Sequence, residues 1–138
     1  MPLMEWSDQF DLKVEQMNDQ HRVLIRLMND LYDLNDANAA KSQISTALTK
    51  LGDASTRHFA EEEQYMESID YPEHDFERHK LIHKDLLAKY AGHVESFEAG
   101  DGTLSQDFFN FLRLWLAAHI KGIDMKYASF AHSRDTAA

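Results

Sequence analysis

Apolar residues in this chain recur every three to four positions through four long segments, the spacing of one buried stripe on a helix. The first spans roughly residues 18–35 and aligns His21, Leu24, Ile25, Met28, Leu31 and Tyr32, with Asn18 or Asp19 placed to cap it. The second, roughly 40–68, aligns Ile44, Leu48, Leu51, Ser55, His58, Glu62, Tyr65 and Met66, and Pro72 forces a break beyond it. The third, roughly 74–98, carries Phe76, His79, His83, Leu86, Leu87, Tyr90 and Phe97, and stops at an Ala-Gly-Asp-Gly turn. The fourth, roughly 103–121 or beyond, carries Leu104, Phe108, Phe111, Leu112, Trp115 and His119. The loops between them are short, so sequential helices become antiparallel neighbours. The pattern predicts an all-α, up-down-up-down four-helix bundle over residues 18–131. Residues 1–17 contain Trp6, Phe10 and Leu12 without helical period and read as an arm laid across the bundle, and residues 132–138 as a tail.

Composition narrows the picture. The 138 residues suit one domain with one core. A net charge of −10 argues against nucleic acid or an anionic membrane surface as partner. There is no apolar run of about 18 residues to span a bilayer. The opening residues lack the basic flank and apolar stretch of a secretory signal. With no cysteine, disulfides, thiolate chemistry and iron–sulfur clusters are excluded. A cytoplasmic location is the expectation.

The eight histidines change the picture most. All four stripes aim imidazole or carboxylate inward: His21 from the first, His58 and Glu62 from the second, His79 and His83 from the third, His119 from the fourth. A single such histidine is ordinarily a core residue with one hydrogen-bond partner. Five facing one another would each need a partner, and charging any of them in the core would be costly. A metal removes the difficulty, because neutral imidazole is a common ligand. His58 and Glu62, like His79 and His83, lie four apart, so each pair meets one ion from one face. Six donors exceed the needs of one tetrahedral zinc. Glu62 is a candidate bridge between two ions, and Asp124 is the carboxylate placed to be a second. Imidazole-rich ligation suits iron, copper, zinc or nickel, and spacing alone does not separate them.

Four stretches carry a resemblance: "NDQHRVLIRLMNDL", "HFAEEEQYM", "YPEHDFERHKLIH" and "WLAAHIKGIDMKY". In order they resemble the signatures of the hemerythrin family, whose pattern runs H, HxxxE, HxxxH, HxxxxD. Here that pattern falls on His21; His58 and Glu62; His79 and His83; His119 and Asp124. The resemblance implies a pair of non-haem iron ions joined by an oxo or hydroxo group. One ion would take His79, His83 and His119. The other would take His21 and His58 and keep an open position for O2, with Glu62 and Asp124 bridging. It implies reversible O2 binding for storage, transfer or delivery, with nitric oxide or small anions as other occupants of the open position. A di-iron oxidase, peroxidase or nitric oxide reductase, or a freestanding sensor, is the alternative. Leu24, Phe59, Trp115, Leu116 and Ile120 stand where apolar residues of the family line the O2 pocket.

Other candidates read as bystanders. His74 follows Tyr-Pro-Glu at a helix start and should be exposed, His93 should lie far from the ligands, and His132 falls in the tail. Glu61 is the fallback for Glu62, and Glu63 belongs to a solvated face. One spacing is awkward. His119 and Asp124 are five apart, which turns about 140° on an α-helix. A π-type turn would leave them only about 50° apart. The sequence therefore predicts a local widening or break of the fourth helix between His119 and Asp124, eased by Gly122.

Overall fold

The computed structural model describes residues 2–137, so Met1 and Ala138, at the ends of the expected arm and tail, lie outside it. Its helices are α1 (Glu15–Asp36), α2 (Lys41–Ser68), α3 (Glu73–Ala99), α4 (Gln106–His119) and α5 (Met125–Ala137), the last two joined by a π-helical segment, Ile120–Asp124. The α4–π–α5 run forms the fourth rod of an up-down-up-down bundle.

Local chemistry sets the ends. Asn38 and Asp70 adopt left-handed φ values of 56° and 55° in the first two connections, a conformation these short polar residues reach more readily than most. Pro72 stands just before α3, where its missing N–H costs nothing, and Glu73 and Asp75 complement the helix dipole in the first turn. Ser105 caps α4, its Oγ accepting from the Phe108 N–H at 3.2 Å.

Two boundaries differ from expectation. Helix α1 begins at Glu15, because Asn18 is fully buried and does not cap. Its Oδ1 accepts from the Leu12 N–H at 3.0 Å and its Nδ2 donates to Asp11 at 2.8 Å, so it pins the arm from inside the first turn. Helix α4 begins at Gln106, because the Leu104 N–H is taken by Asn35 Oδ1 at 2.8 Å. The fourth rod continues to Ala137. His132 thus stands on α5, with Nε2 at 3.1 Å from the Leu12 carbonyl.

The arm is tied down along its length. Leu3, Met4, Phe10 and Leu12 are buried. Asn29 accepts from the Met4 N–H and donates to its carbonyl, and Trp6 lies under the Arg22 guanidinium at 4.3 Å. The bundle interior divides in two. One half is hydrocarbon, built on Met28, Leu31, Ile44, Leu48, Leu51, Phe108 and Leu112. The other holds His21, His58, Glu62, His79, His83, His119 and Asp124, every one of them buried. No helix among the described residues is long and apolar enough to cross a membrane.

Candidate metal centre

The polar half is assembled from all four rods. His21 comes from α1, His58 and Glu62 from adjacent turns of α2, His79 and His83 from adjacent turns of α3, and His119 from the end of α4. Immediately after His119 the backbone widens into the π segment, which carries Asp124 to the same interior, where it is fully buried. The five-residue spacing thus has its physical answer in a locally wider helix. Gly122 is not what permits it. Its φ is not left-handed, and a Cβ there would meet nothing within 4 Å.

The two carboxylates face the five imidazoles in a divided way. Glu62 Oε1 lies 3.3 Å from His79 Nε2, 2.8 Å from His83 Nε2 and 3.9 Å from His119 Nε2. Asp124 Oδ1 lies 3.1 Å from His79 Nε2 and 2.9 Å from His119 Nε2. The opposite oxygens serve the other two histidines. Glu62 Oε2 is 3.8 Å from His21 and 3.5 Å from His58, and Asp124 Oδ2 is 3.2 Å from His21. Two groups that could hold a metal ion result: Glu62, Asp124, His79, His83 and His119, and Glu62, Asp124, His21 and His58. Within each, the donor atoms all lie within 4.8 Å of one another.

Most of these contacts are not hydrogen bonds. His21, His58, His79 and His119 each present a buried Nε2 without a hydrogen-bond partner, and both Asp124 oxygens are likewise unpartnered. Such groups are expensive to bury. Their convergence fits a cation, since one ion accepts lone pairs from several of them at once.

The electrostatics agree. Burial alone would push the Glu62 carboxyl up, but the surrounding imidazoles, His58 foremost, hold it well below the usual carboxylate range. Asp124 is held low too, against burial and against Glu62, chiefly by His119. His119 is in turn raised to about 10, the charge of Asp124 overcoming the cost of burying an imidazolium. Two buried anions thus demand positive charge, which only protons on the imidazoles or metal ions can supply. Only metal ions leave the imidazoles neutral.

Several side chains outside the expected set hold the candidate ligands in place. Tyr127, fully buried, donates its hydroxyl to Glu62 Oε2 at 2.7 Å, and burial beside that carboxylate raises the phenol well above its ordinary range. Glu63 Oε2 accepts from His83 Nδ1 at 2.9 Å, so it is not simply part of a solvated face. Gln20 faces His58 Nδ1 at 2.6 Å and Glu61 at 2.7 Å. Periodicity does not reveal Gln20 and Glu63, because each lies beside a candidate ligand and not on its stripe; their signal is chemical, since a ligating imidazole needs an acceptor for its second nitrogen. Tyr127, three residues after Asp124, shares its buried face and signals itself only by a hydroxyl that must find an acceptor there. His74 is exposed, and His93 packs instead on Phe108 and Phe111 in the apolar half.

The residues expected to line an apolar pocket all lie in the interior. Leu24, Phe59, Trp115, Leu116 and Ile120 are buried. Phe59 stacks on His83 with ring centroids 4.0 Å apart and planes within 9°, and it sits 5.9 Å from both Trp115 and His119.

A family model described as "Hemerythrin HHE cation binding domain" matches residues 12–131. The chain is 34% identical to a bacteriohemerythrin of Methylococcus capsulatus over 92% of this chain and 95% of that protein. It is 31% identical to a myohemerythrin of Theromyzon tessulatum, over 89% of each. A solved structure of wild-type hemerythrin, 34% identical, superposes with a TM-score of 0.83 over 92% of this chain and 96% of the other.

Proposed function

The chain belongs to the hemerythrin family, and on that footing we propose that it binds O2 reversibly at a pair of non-haem iron ions. One observation carries the reading: both oxygens of Glu62 and both of Asp124 are divided between a three-histidine set and a two-histidine set. A carboxylate split in this way is a bridge, and two bridges make a dinuclear site. His79, His83 and His119 would hold one iron, and His21 and His58 the other. Glu62, Asp124 and a solvent-derived oxo or hydroxo group would join them. The two-histidine iron would keep an open position for O2, with nitric oxide or small anions as other occupants. When bound, the iron pair supplies the two electrons and the Lewis acidity of O2 binding.

The protein's own residues do the rest. With metal bound, the imidazoles would ligate through their Nε2 lone pairs and fix the geometry. Tyr127 holds Glu62 in its bridging orientation by the hydroxyl bond at 2.7 Å. Phe59, Trp115, Leu116 and Ile120, with Leu24 at the edge of a solvent-connected cavity, would limit the water and protons that reach bound O2, which is what makes its release unchanged possible. Five histidines against two carboxylates favour binding over oxidation. The carboxylate-rich bundles that activate O2 use paired Glu-x-x-His motifs instead, so the chain is read as a carrier or store and not as an enzyme. We place it in the cytoplasm, in keeping with its lack of cysteine.

The test is an optical titration. Protein reduced anaerobically with two irons per chain should be colourless, gain visible absorption on exposure to O2, and lose it under vacuum. Zinc alone in protein produced with ample iron, or absorption that vacuum does not reverse, removes the reading.

A further inference from the structure

We infer that Gln20 is the positioning residue of the two-histidine subsite and sets how tightly that subsite holds its metal. The inference rests on the di-iron reading. Gln20 lies on α1 beside His21, half-buried, and reaches across to α2. Glu61 Oε2, 2.7 Å away, can only accept, so the Gln20 amide must turn its Nε2 toward it. That leaves Gln20 Oε1, a pure acceptor, facing His58 Nδ1 at 2.6 Å. Nδ1 therefore carries the proton, and the His58 Nε2 lone pair points at Glu62 and the site. The tautomer a metal needs is selected by a carboxylate two links away.

The other subsite is backed differently. Behind His83 stands a carboxylate in direct contact, Glu63 at 2.9 Å. A carboxylate acceptor makes an imidazole more electron-rich than a neutral amide does. His21 Nδ1, the second outward nitrogen on the Gln20 side, is buried without a hydrogen-bond partner. The two-histidine subsite thus has fewer imidazoles, and its His58 rests on a neutral amide where His83 rests on a carboxylate. Metal fills the three-histidine subsite first, and Gln20 tunes the second.

The surroundings specify the substitution to make. Gln20, Leu24, His58 and Glu61 line a solvent-connected cavity of about 290 Å3. Truncation to alanine would let water from this cavity take over the bond to Nδ1. Gln20→Leu keeps the volume and offers no acceptor.

The experiment is an anaerobic titration with ferrous iron against a chromophoric chelator. It is paired with nitrogen-15 spectra of the zinc-loaded protein and with far-ultraviolet circular dichroism to confirm the fold. Wild type should bind two ferrous ions with separable affinities. Gln20→Leu should weaken the looser ion by about 10- to 100-fold, leave the tighter one unchanged, and shift the His58 Nδ1–H resonance. Gln20→Glu should restore or exceed the wild-type affinity of the looser site, and Glu63→Gln should weaken the tighter one instead. Wild-type affinities in Gln20→Leu, or equal weakening of both ions there and in Gln20→Glu, would overturn the inference. A wild-type chain that takes only one ion overturns the di-iron reading itself, whatever Gln20 does.

Discussion

Around Leu31, Leu48, Leu51 and Leu112 the bundle interior is hydrocarbon, and packing alone accounts for it. A few turns away, around Glu62 and Asp124, the same four rods bury seven ionisable side chains. The first half gains free energy from every methylene it hides, roughly 0.8 kcal/mol each. The second loses it, because imidazole nitrogens and carboxylate oxygens leave water without hydrogen-bond partners to replace it. One half is a reason to fold, and the other is a reason to bind metal. The apolar half holds the rods in place while the polar half keeps its ligands facing one another.

The contrast is broken most strongly by removing metal. Chelation of the iron-loaded protein should lower its thermal midpoint, because an ion at about 1,000 times its Kd contributes about 4 kcal/mol to the folded state. Amide exchange should accelerate around His21, the π segment and Tyr127, and stay slow around Leu31, Leu48 and Phe108. Uniform acceleration along all four rods would mean the halves are not energetically separate.

Next in size is a cavity in the apolar half. Leu112→Ala should cost about 2–5 kcal/mol in denaturant unfolding. The cost should be the same with and without metal, since Leu112 is fully buried in hydrocarbon. A cost that changes with metal would couple the two halves.

A smaller effect, on rate, comes from a polar group at the border of the site. Leu116→Glu should speed loss of the oxygenated form by about tenfold or more, equivalent to about 1.4 kcal/mol of barrier. Stopped-flow decay unchanged by that substitution would remove Leu116 from the pocket.

The smallest effect concerns the arm that covers the site half. Asp11 is held down to about 2 from an ordinary 3.8, first by the Lys13 backbone N–H and then by Asn18. A depressed carboxyl stabilises the fold above its unfolded value and loses that contribution as pH falls through its folded value. The difference in Tm between wild type and Asp11→Asn should therefore be constant above about pH 4 and shrink toward about pH 2. A difference that does not change across that range would mean the Asp11 carboxylate does not anchor the arm.

Much of this was legible in the sequence, for reasons that differ by residue. The buried imidazoles and carboxylates are legible because they occupy stripe positions that apolar residues would otherwise fill, so Glu62 and His83 announce themselves by period. The π segment could be found because the spacing from His119 to Asp124 fits no other helix. The start of α1 is not legible, because Asn18, a good cap by type, uses its amide on the arm instead. Glu63 and Gln20 are not legible either, because periodicity reports which face a residue is on and not what its neighbour's second nitrogen needs. Glu63 is adjacent to Glu62 and about 100° away, yet close enough to reach the back of His83.

Whether two metal ions share Glu62 and Asp124 is decided by anomalous scattering at the iron edge from crystals of the iron-loaded protein. Two iron peaks are expected, each within bonding distance of one oxygen of Glu62 and one of Asp124. His79, His83 and His119 should lie on one peak, and His21 and His58 on the other. A single peak, or two peaks with Asp124 on only one of them, would contradict that sharing.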